Sequence, residues 1–260
     1  MIIVVAIAST GIITTVIILQ PQKIDLRISE LMSQGDIPSF AAGIVINDTL
    51  VWSKGYGDQP DLETVYMIAS ITKIFTATAI MQLYDNGNLD LDTDINDYIP
   101  FSVRNPSYSD DPITTRMLLT HKSGLNHGVS DELLWDFDAD TINWCNNNLG
   151  TNISLWSSRP TLGEFINGSL TPSGSYYASE NWYSQPDTCW RYSNTGFLLL
   201  SYIVEQISNQ SYVEYLQENV LDPLDMVNSG FNYIDFTGRN AIPYERRDNE
   251  NFEFPIINTT

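Results

Sequence analysis

The sequence predicts an α+β fold, in which an antiparallel sheet with flanking helices adjoins a mainly helical subdomain. Two β-rich runs, residues 40–46 and 49–56, are separated only by Asn47-Asp48, a pair suited to a tight turn, and this predicts a hairpin. Most other periodic segments have apolar residues at helical spacing. The chain has 260 residues, 43% of them hydrophobic, which is enough for a sizeable core. Because two strands alone make a marginal sheet, we expect the sheet to be incomplete.

The first helix is expected soon after Pro21, where apolar residues recur at helical spacing through 24–32. A second helix is expected to begin near Ser70, after the hairpin, and to end at Asn86-Gly87. Glycine can adopt the left-handed conformation that commonly ends a helix, so Gly87 marks its C-terminus.

The remaining chain alternates between irregular and helical segments. Residues 88–112 are rich in Asp, Asn and Pro, which predicts turns and an extended crossing. Residues 126–190 are rich in Asn, Ser, Trp and Tyr, which favours an insertion or an elaborate loop region. Helices are predicted at 114–120, 161–166, 195–207 and 212–220, the last of them before Pro223.

The N-terminal segment is uncharged and mainly apolar from Ile2 to Leu19. A helix of about 18 residues rises roughly 27 Å, close to the thickness of a bilayer core. We therefore expect residues 1–20 to form a membrane anchor or an uncleaved signal. A cleaved signal peptide is the alternative, although no Lys or Arg precedes the apolar run, and a buried strand pair is a third interpretation.

The composition excludes one class of partner and indicates the cellular compartment. A formal net charge of −20 repels phosphate backbones, so nucleic acid is not an expected partner. The two cysteines, Cys145 and Cys189, are compatible with one disulfide in an oxidising compartment or with two free thiols. Together with the N-terminal segment, these features favour a body outside the cytoplasm, tethered to the membrane or secreted.

Ser70-Ile71-Thr72-Lys73 is the main candidate for chemistry. A serine hydroxyl is a poor nucleophile until a neighbouring base takes its proton. Residues three apart lie on one face of a helix, so Lys73 stands beside Ser70. Ser-x-x-Lys alone is a weak motif, and its context has to carry the assignment.

That context resembles the penicillin-recognising serine hydrolases, in particular the branch of class C β-lactamases, D-Ala carboxypeptidases and esterases. The resemblance extends over residues 37–226 and is carried by six blocks in the family's order. These are Ile-Pro-Ser-Phe-Ala-Ala-Gly from Ile37, Lys-Gly-Tyr-Gly from Lys54, the Ser70 helix continuing through Asn88-Leu-Asp-Leu-Asp and Tyr98-Ile-Pro, Leu-Leu-Thr-His-Lys-Ser-Gly-Leu from Leu118, Arg-Tyr-Ser-Asn-Thr-Gly-Phe from Arg191, and Leu-Asp-Pro-Leu-Asp-Met from Leu221.

The resemblance implies a β-lactamase/transpeptidase-like fold and a set of site residues. Ser70 would be the nucleophile, and Lys73 and Tyr192 would relay its proton. Asn194, two residues after Tyr192, would bind the substrate and Lys73. The backbone amide of Ser70 would form half of an oxyanion hole. No cofactor or metal is implied.

Three other motifs are interpreted as structural. Tyr84-Asp85-Asn86 also reads Tyr-x-Asn, but it lies about 21 Å along the same helix from Ser70. Lys122-Ser123-Gly124 imitates the family's third motif, Lys/His-Thr/Ser-Gly, but it precedes Tyr192 in the chain. His121 and His127 are interpreted as packing and hydrogen-bonding residues, because no Gly-x-Ser-x-Gly elbow accompanies them, and two isolated histidines with two distant cysteines lack metal-ligand spacing.

No Lys/His-Thr/Ser-Gly follows Tyr192 in these residues, whereas the resemblance implies such a strand beside the pocket. The sequence is therefore expected to be the front portion of a larger hydrolase, with a sheet that a second chain could complete. Losing one oxyanion donor typically slows catalysis about 100- to 1000-fold, so weak or no activity is expected of the isolated chain.

These inferences define the domains and two hypotheses for function. Residues 21–260 form one domain, with a sheet subdomain at 21–69 and 221–260 and a mainly helical subdomain at 70–220. The first hypothesis is a serine hydrolase that acts through an acyl-enzyme on a small-molecule or peptide substrate, either an amide, an ester or a β-lactam. The alternative is a non-catalytic, penicillin-binding-like sensor or binding module.

Overall fold

The structure is a computed structural model. It describes residues 21–58, 63–127, 160–231, 236, 239–241, 244–247 and 250–253. The predicted membrane anchor or signal at 1–20 lies outside these residues, as does the part of the predicted insertion at 126–190 that spans 128–159 and contains Cys145. No helix in the described part of the chain is both long enough and apolar enough to span a bilayer.

The helices and the first two strands of the described residues follow the predicted order, and the sequence did not predict the two strands at 244–253. The helices are α1 (Pro21–Gly35), α2 (Thr72–Asp85), α3 (Thr115–Leu119), α4 (Leu162–Leu170), α5 (Asn194–Ser208) and α6 (Tyr212–Leu216), the last continued by a π-helical turn (Gln217–Leu221). The strands are β1 (Ser39–Ile46), β2 (Thr49–Gly57), β3 (Tyr244–Arg247) and β4 (Glu250–Glu253). The fold is α+β, as predicted, with two separate two-stranded antiparallel sheets among these residues.

The described residues divide into two compact units. One contains the residues up to Ile68 together with those of 232–256, and the other contains Ala69–Phe231. The sequence had placed the corresponding boundaries at 69/70 and 220/221. The helical unit therefore extends to Phe231, beyond the predicted boundary at 220/221, and includes the residues that follow the π-helical turn.

The predicted hairpin forms in the first unit. β1 and β2 pair antiparallel, with Ile46 opposite Thr49, and the register shifts at Ile44 and Val45. The two residues of the turn, Asn47 and Asp48, have φ angles of 47° and 60°. Asparagine and aspartate tolerate this left-handed region better than most residues, which explains why this pair makes the turn.

One carboxylate connects α1 to the hairpin. Asp25 on α1 accepts a hydrogen bond from Lys54 Nζ at 2.7 Å and another from the Tyr56 hydroxyl at 2.7 Å. The hydrogen bond from Lys54 is the largest cause of a lowered pKa at Asp25, and the hydrogen bond from Tyr56 lowers that pKa further. Burial and the nearby Asp25 raise the pKa of Tyr56, which keeps the phenol protonated.

The second unit has a continuous hydrophobic core built on α2 and α5. Fully buried side chains from both helices contribute to it, including Ala79, Ile80, Leu199, Leu200 and Ile203. α2 ends as the sequence predicts, because Gly87 after it has φ 72°, and Asn209 after α5 ends that helix in the same conformation, with φ 58°. This core fixes the two helix N-termini on which the candidate site is built.

Cys189 is a partly exposed free thiol that donates a hydrogen bond to Ser184 Oγ at 3.1 Å. The other cysteine, Cys145, lies outside the described residues, so the choice between one disulfide and two free thiols stays a prediction.

Candidate active site

Ser70 lies at the start of the helical unit, in a 3₁₀ turn that leads directly into α2. The turn is Ala69–Ile71, and α2 begins at Thr72, so Ser70 and Lys73 are one turn apart. Ala69 has φ 45°, a left-handed conformation that is costly for alanine and that turns the chain sharply just before the serine. Ser70 is exposed, and Lys73 is half-buried.

Tyr192 and Asn194 lie at the N-terminus of α5. Ser193, between them, is the N-cap residue, and its Oγ accepts a hydrogen bond from Gly196 N at 3.0 Å. Asn194 is the first residue of the helix. The serine in Tyr-Ser-Asn therefore starts the helix, and its two neighbours project from a fixed helix end.

The four predicted site residues converge, although Ser70 and Tyr192 are 122 positions apart in the chain. The Tyr192 hydroxyl donates to Ser70 Oγ at 2.7 Å, and Lys73 Nζ donates to the same oxygen at 3.3 Å. Lys73 Nζ also donates to Asn194 Oδ1 at 2.7 Å. The ammonium lies 4.9 Å from the centroid of the Tyr192 ring. Ser70 thus contacts both groups that the sequence proposed as proton carriers.

The loop that carries Tyr192 is held by the segment that follows α3. The amides of Arg191 and Asn194 donate to the carbonyl oxygens of His121 at 2.8 Å and His127 at 3.2 Å. The amide of Ser193 donates to the His121 side chain, at Nδ1, over 3.2 Å. Sequence reasoning gave His121 a packing and hydrogen-bonding role but did not connect it to Tyr192. No local pattern could reveal that partner, because it lies more than 70 residues away.

The electrostatics of His121 suit this position. Burial lowers its pKa, and the nearby charge of Lys73 lowers it further. The imidazole is therefore neutral at pH 7, and its unprotonated Nδ1 can accept the Ser193 amide.

The Tyr-Asp-Asn and Lys-Ser-Gly motifs have structural settings. Tyr84 and Asp85 are the last two residues of α2, at the opposite end of the helix from Lys73. Lys122 forms a surface ion pair with Asp187 at 3.6 Å. Gly124 has φ 79°, and a Cβ atom there would lie 2.3 Å from the carbonyl oxygen of Ser184, so this position requires glycine. Among the described residues, no group of histidine, cysteine and acidic side chains is arranged to hold a metal ion.

Comparison with known families decides the identity of the fold. A sequence profile described as "Beta-lactamase" matches residues 24–252. The chain belongs to the β-lactamase family. Its fold is accordingly the β-lactamase/transpeptidase-like fold that the sequence predicted.

Individual relatives of this β-lactamase-family chain are distant. It is 28% identical over 233 residues to protein flp of Staphylococcus aureus strain COL, an alignment that covers 86% of this chain and 41% of that protein. It is 32% identical over 227 residues to β-lactamase-like protein 2 of Dictyostelium discoideum, which covers 82% of this chain and 36% of that protein. The chain therefore spans less than half the length of these curated relatives.

Solved structures agree on the fold. The octameric penicillin-binding protein homologue from Pyrococcus abyssi superposes with a TM-score of 0.70 and 27% identity, over 91% of this chain and 50% of that chain. A class C β-lactamase mutant superposes with a TM-score of 0.65 and 21% identity, over 91% of this chain and 58% of that chain, and shows the fold alone. The family and these relatives place the chain in the superfamily of β-lactamase-like and penicillin-binding-protein-like serine hydrolases.

Proposed function

We propose that this chain is a serine hydrolase that forms an acyl-enzyme on Ser70, with an amide, an ester or a β-lactam as the acyl donor. The observation that carries the proposal is the convergence of the Lys73 amine and the Tyr192 hydroxyl on Ser70 Oγ, at 3.3 and 2.7 Å. A serine oxygen with two potential proton carriers in hydrogen-bonding distance has what nucleophilic catalysis requires.

The steps follow from this arrangement. As Ser70 Oγ attacks the carbonyl carbon, its proton passes to whichever of Lys73 and Tyr192 is unprotonated. The same pair then returns the proton to the nitrogen or oxygen leaving group as the bond from that atom to the carbonyl carbon breaks. The acyl group remains on Oγ until water hydrolyses the ester. Asn194 holds the Lys73 amine in place through its Oδ1 atom.

Covalent labelling tests the nucleophile. The chain is incubated with a fluorescent fluorophosphonate and, separately, with a fluorescent penicillin, next to a Ser70→Ala variant. Ser109→Ala, which changes an exposed serine outside the site, serves as the matched control. We expect label on the wild type and on Ser109→Ala, and none on Ser70→Ala. Label that persists in Ser70→Ala would refute the assignment.

We infer further that Ser70 of this chain is acylated slowly. The sequence contains no Lys/His-Thr/Ser-Gly after Tyr192 that could supply the second oxyanion amide. Without that donor, acylation slows by about 100- to 1000-fold. Mass spectrometry of the penicillin adduct over time distinguishes an enzyme from a sensor: loss of the adduct mass with recovery of free protein indicates hydrolysis, and a permanent adduct favours the non-catalytic binding module.

We also propose that residues 1–20 tether the chain to a membrane on its extracytoplasmic side. The support is the uncharged apolar run from Ile2 to Leu19, long enough to cross a bilayer core. Fractionation of expressing cells tests it: the full chain should sediment with membranes and resist alkaline carbonate extraction. A chain found only in the supernatant fraction would contradict the tether and leave the serine assignment untouched.

A further inference from the structure

His121 makes hydrogen bonds on both sides of Tyr192. Its carbonyl oxygen accepts the amide of Arg191 at 2.8 Å, and its side-chain Nδ1 accepts the amide of Ser193 at 3.2 Å. These amides belong to the residues immediately before and after Tyr192. Since peptide groups are planar, the bond to the Ser193 amide fixes the peptide plane that follows Tyr192, and the bond to the Arg191 amide anchors the chain one peptide group before the plane that precedes Tyr192.

The imidazole also packs directly against the phenol. The ring centroids of His121 and Tyr192 lie 4.7 Å apart, and His121 is 5.1 Å from the ring of Phe197 on α5. The side chain that accepts the Ser193 amide therefore also fills the space beside the Tyr192 ring. A shift of His121 would move both the backbone and the ring of Tyr192.

The left-handed backbone of His121 caps the C-terminus of α3, where the amide of Lys122 donates to the carbonyl of Met117 at 2.7 Å. His121 has φ 58° and lies just beyond the C-terminus of α3, where its amide donates to the carbonyl of Leu118 at 3.1 Å. Glycine and asparagine are the residues that usually occupy this left-handed position. A histidine at this capping position, beside a proposed active site, points to a role for the side chain.

We propose that His121 is a positioning residue that orients the Tyr192 hydroxyl toward Ser70, through one backbone acceptor and one side-chain acceptor placed on either side of Tyr192. The inference rests on the proposed function, because the orientation of Tyr192 affects a rate only if Ser70 is acylated. The neutral imidazole carries its proton on Nε2, which leaves Nδ1 free to accept.

A matched pair of variants separates the acceptor from the backbone. Glycine and asparagine both tolerate the left-handed φ, and both remove the ring, but only asparagine keeps an acceptor atom, Oδ1, two bonds from Cβ. Fluorophosphonate labelling of His121→Gly, in which Ser70 Oγ displaces fluoride from phosphorus, should show a maximal labelling rate reduced by up to about 100-fold, the size of effect that a misplaced catalytic group produces. His121→Asn should recover most of the lost labelling rate, and the apparent affinity for the fluorophosphonate should be unchanged in both variants.

Amide hydrogen exchange provides a second readout that does not depend on labelling. The Ser193 amide should exchange faster in His121→Gly than in the wild type, and His121→Asn should retain protection, because the bonded amide is protected only while its acceptor is present. Circular dichroism establishes that both variants are folded.

The outcomes distinguish the two proposals. If the wild type is not labelled at Ser70, the proposed function fails, and Ser193 exchange still decides the His121 hydrogen bond. The other case is a labelled wild type, with His121→Gly and His121→Asn labelled at the same rate or protecting the Ser193 amide equally. In that case the positioning role of the His121 side chain is wrong, and the hydrolase assignment stands.

Discussion

Lys73 illustrates at the scale of one residue how narrowly the site constrains a side chain. Its amine reaches Ser70 Oγ at 3.3 Å and Asn194 Oδ1 at 2.7 Å, and it lies 5.6 Å from the ring centroid of Phe197. A primary amine can meet all three contacts and can also give up a proton. A guanidinium has the same charge but stays protonated, and its planar fork is larger.

Replacing Lys73 with Arg should therefore reduce acylation of Ser70 by about 100- to 10,000-fold, the range attributed to general acid–base catalysis. The measurement is the rate of fluorophosphonate labelling. Lys122→Arg is the control, because the Lys122 amine pairs with Asp187 on the surface at 3.6 Å and should tolerate arginine. Near-normal labelling of Lys73→Arg would count against Lys73 as a proton carrier.

The lowered pKa of His121 leads to a prediction about pH. The ordinary value is 6.5, and burial, then the charge of Lys73, lowers it in the folded chain. Other charged or titratable groups near the imidazole are Tyr192, against its ring, and the neighbours Lys122 and Arg191. Below about pH 6.5 the unfolded chain takes up a proton more readily than the folded chain. Stability should therefore be present above this pH and be lost as the pH falls toward the folded pKa.

Urea unfolding between about pH 7.5 and pH 5.5 measures this effect, and the range stays above the titration of ordinary carboxylates. In His121→Asn, the fall in unfolding free energy over this range should be smaller than in the wild type, because the titrating group is gone. Equal pH dependence in the two proteins would show that His121 does not contribute.

At the scale of an element, the N-terminus of α5 connects helix stability to the site. Ser193 is 1% exposed and caps the helix through Gly196 N. Tyr192 and Asn194 lie on either side of this cap, so the residue that starts the helix also sets where both side chains begin. Ser211 caps α6 in the same way, with its Oγ 3.3 Å from Glu214 N, but it is exposed and adjoins no predicted site residue.

The pair Ser193→Ala and Ser211→Ala uses this difference. Each should lower the free energy of unfolding by about 0.5–2 kcal/mol, because each removes an N-cap. Only Ser193→Ala should also slow labelling of Ser70, since fraying of the first turn of α5 displaces Tyr192 and Asn194. Urea unfolding and labelling rates measure the two effects. If labelling slows by the same factor in both variants, the slower labelling results from general destabilisation and not from displacement of Tyr192 and Asn194.

For the whole molecule, local patterns predicted most of the elements, and ordered family blocks predicted the convergence. The Asn47-Asp48 turn and the helix ends at Gly87 and Asn209 follow from residue chemistry that acts within a few positions. The meeting of Ser70 and Tyr192 follows from no local rule, and only the family resemblance anticipated it. The attachment of His121 to the Tyr192 loop depends on one left-handed backbone angle and a hydrogen bond between distant segments, neither of which leaves a periodic signal.

Net charge is a further property of the whole molecule, and it sets the response to salt. A formal charge of −20 makes the compact state repel itself, and this repulsion is strongest at low ionic strength, where charges about 30 Å apart still interact before salt screens them. Raising NaCl from about 10 mM to about 0.5 M should therefore raise the melting temperature, by about 2–4 °C for each kcal/mol of repulsion that is removed. Calorimetry or circular dichroism measures the shift.

A triple variant tests whether charge causes this response. Asp85, Asp97 and Asp110 are exposed, so changing all three to Asn removes three negative charges with little change in packing. The variant should melt higher than the wild type at low salt and gain less from added salt, because less repulsion remains to be screened. The triple change to Glu keeps the charge and should behave like the wild type. If the Asn and Glu variants respond to salt identically, self-repulsion is not what limits the stability of this acidic chain.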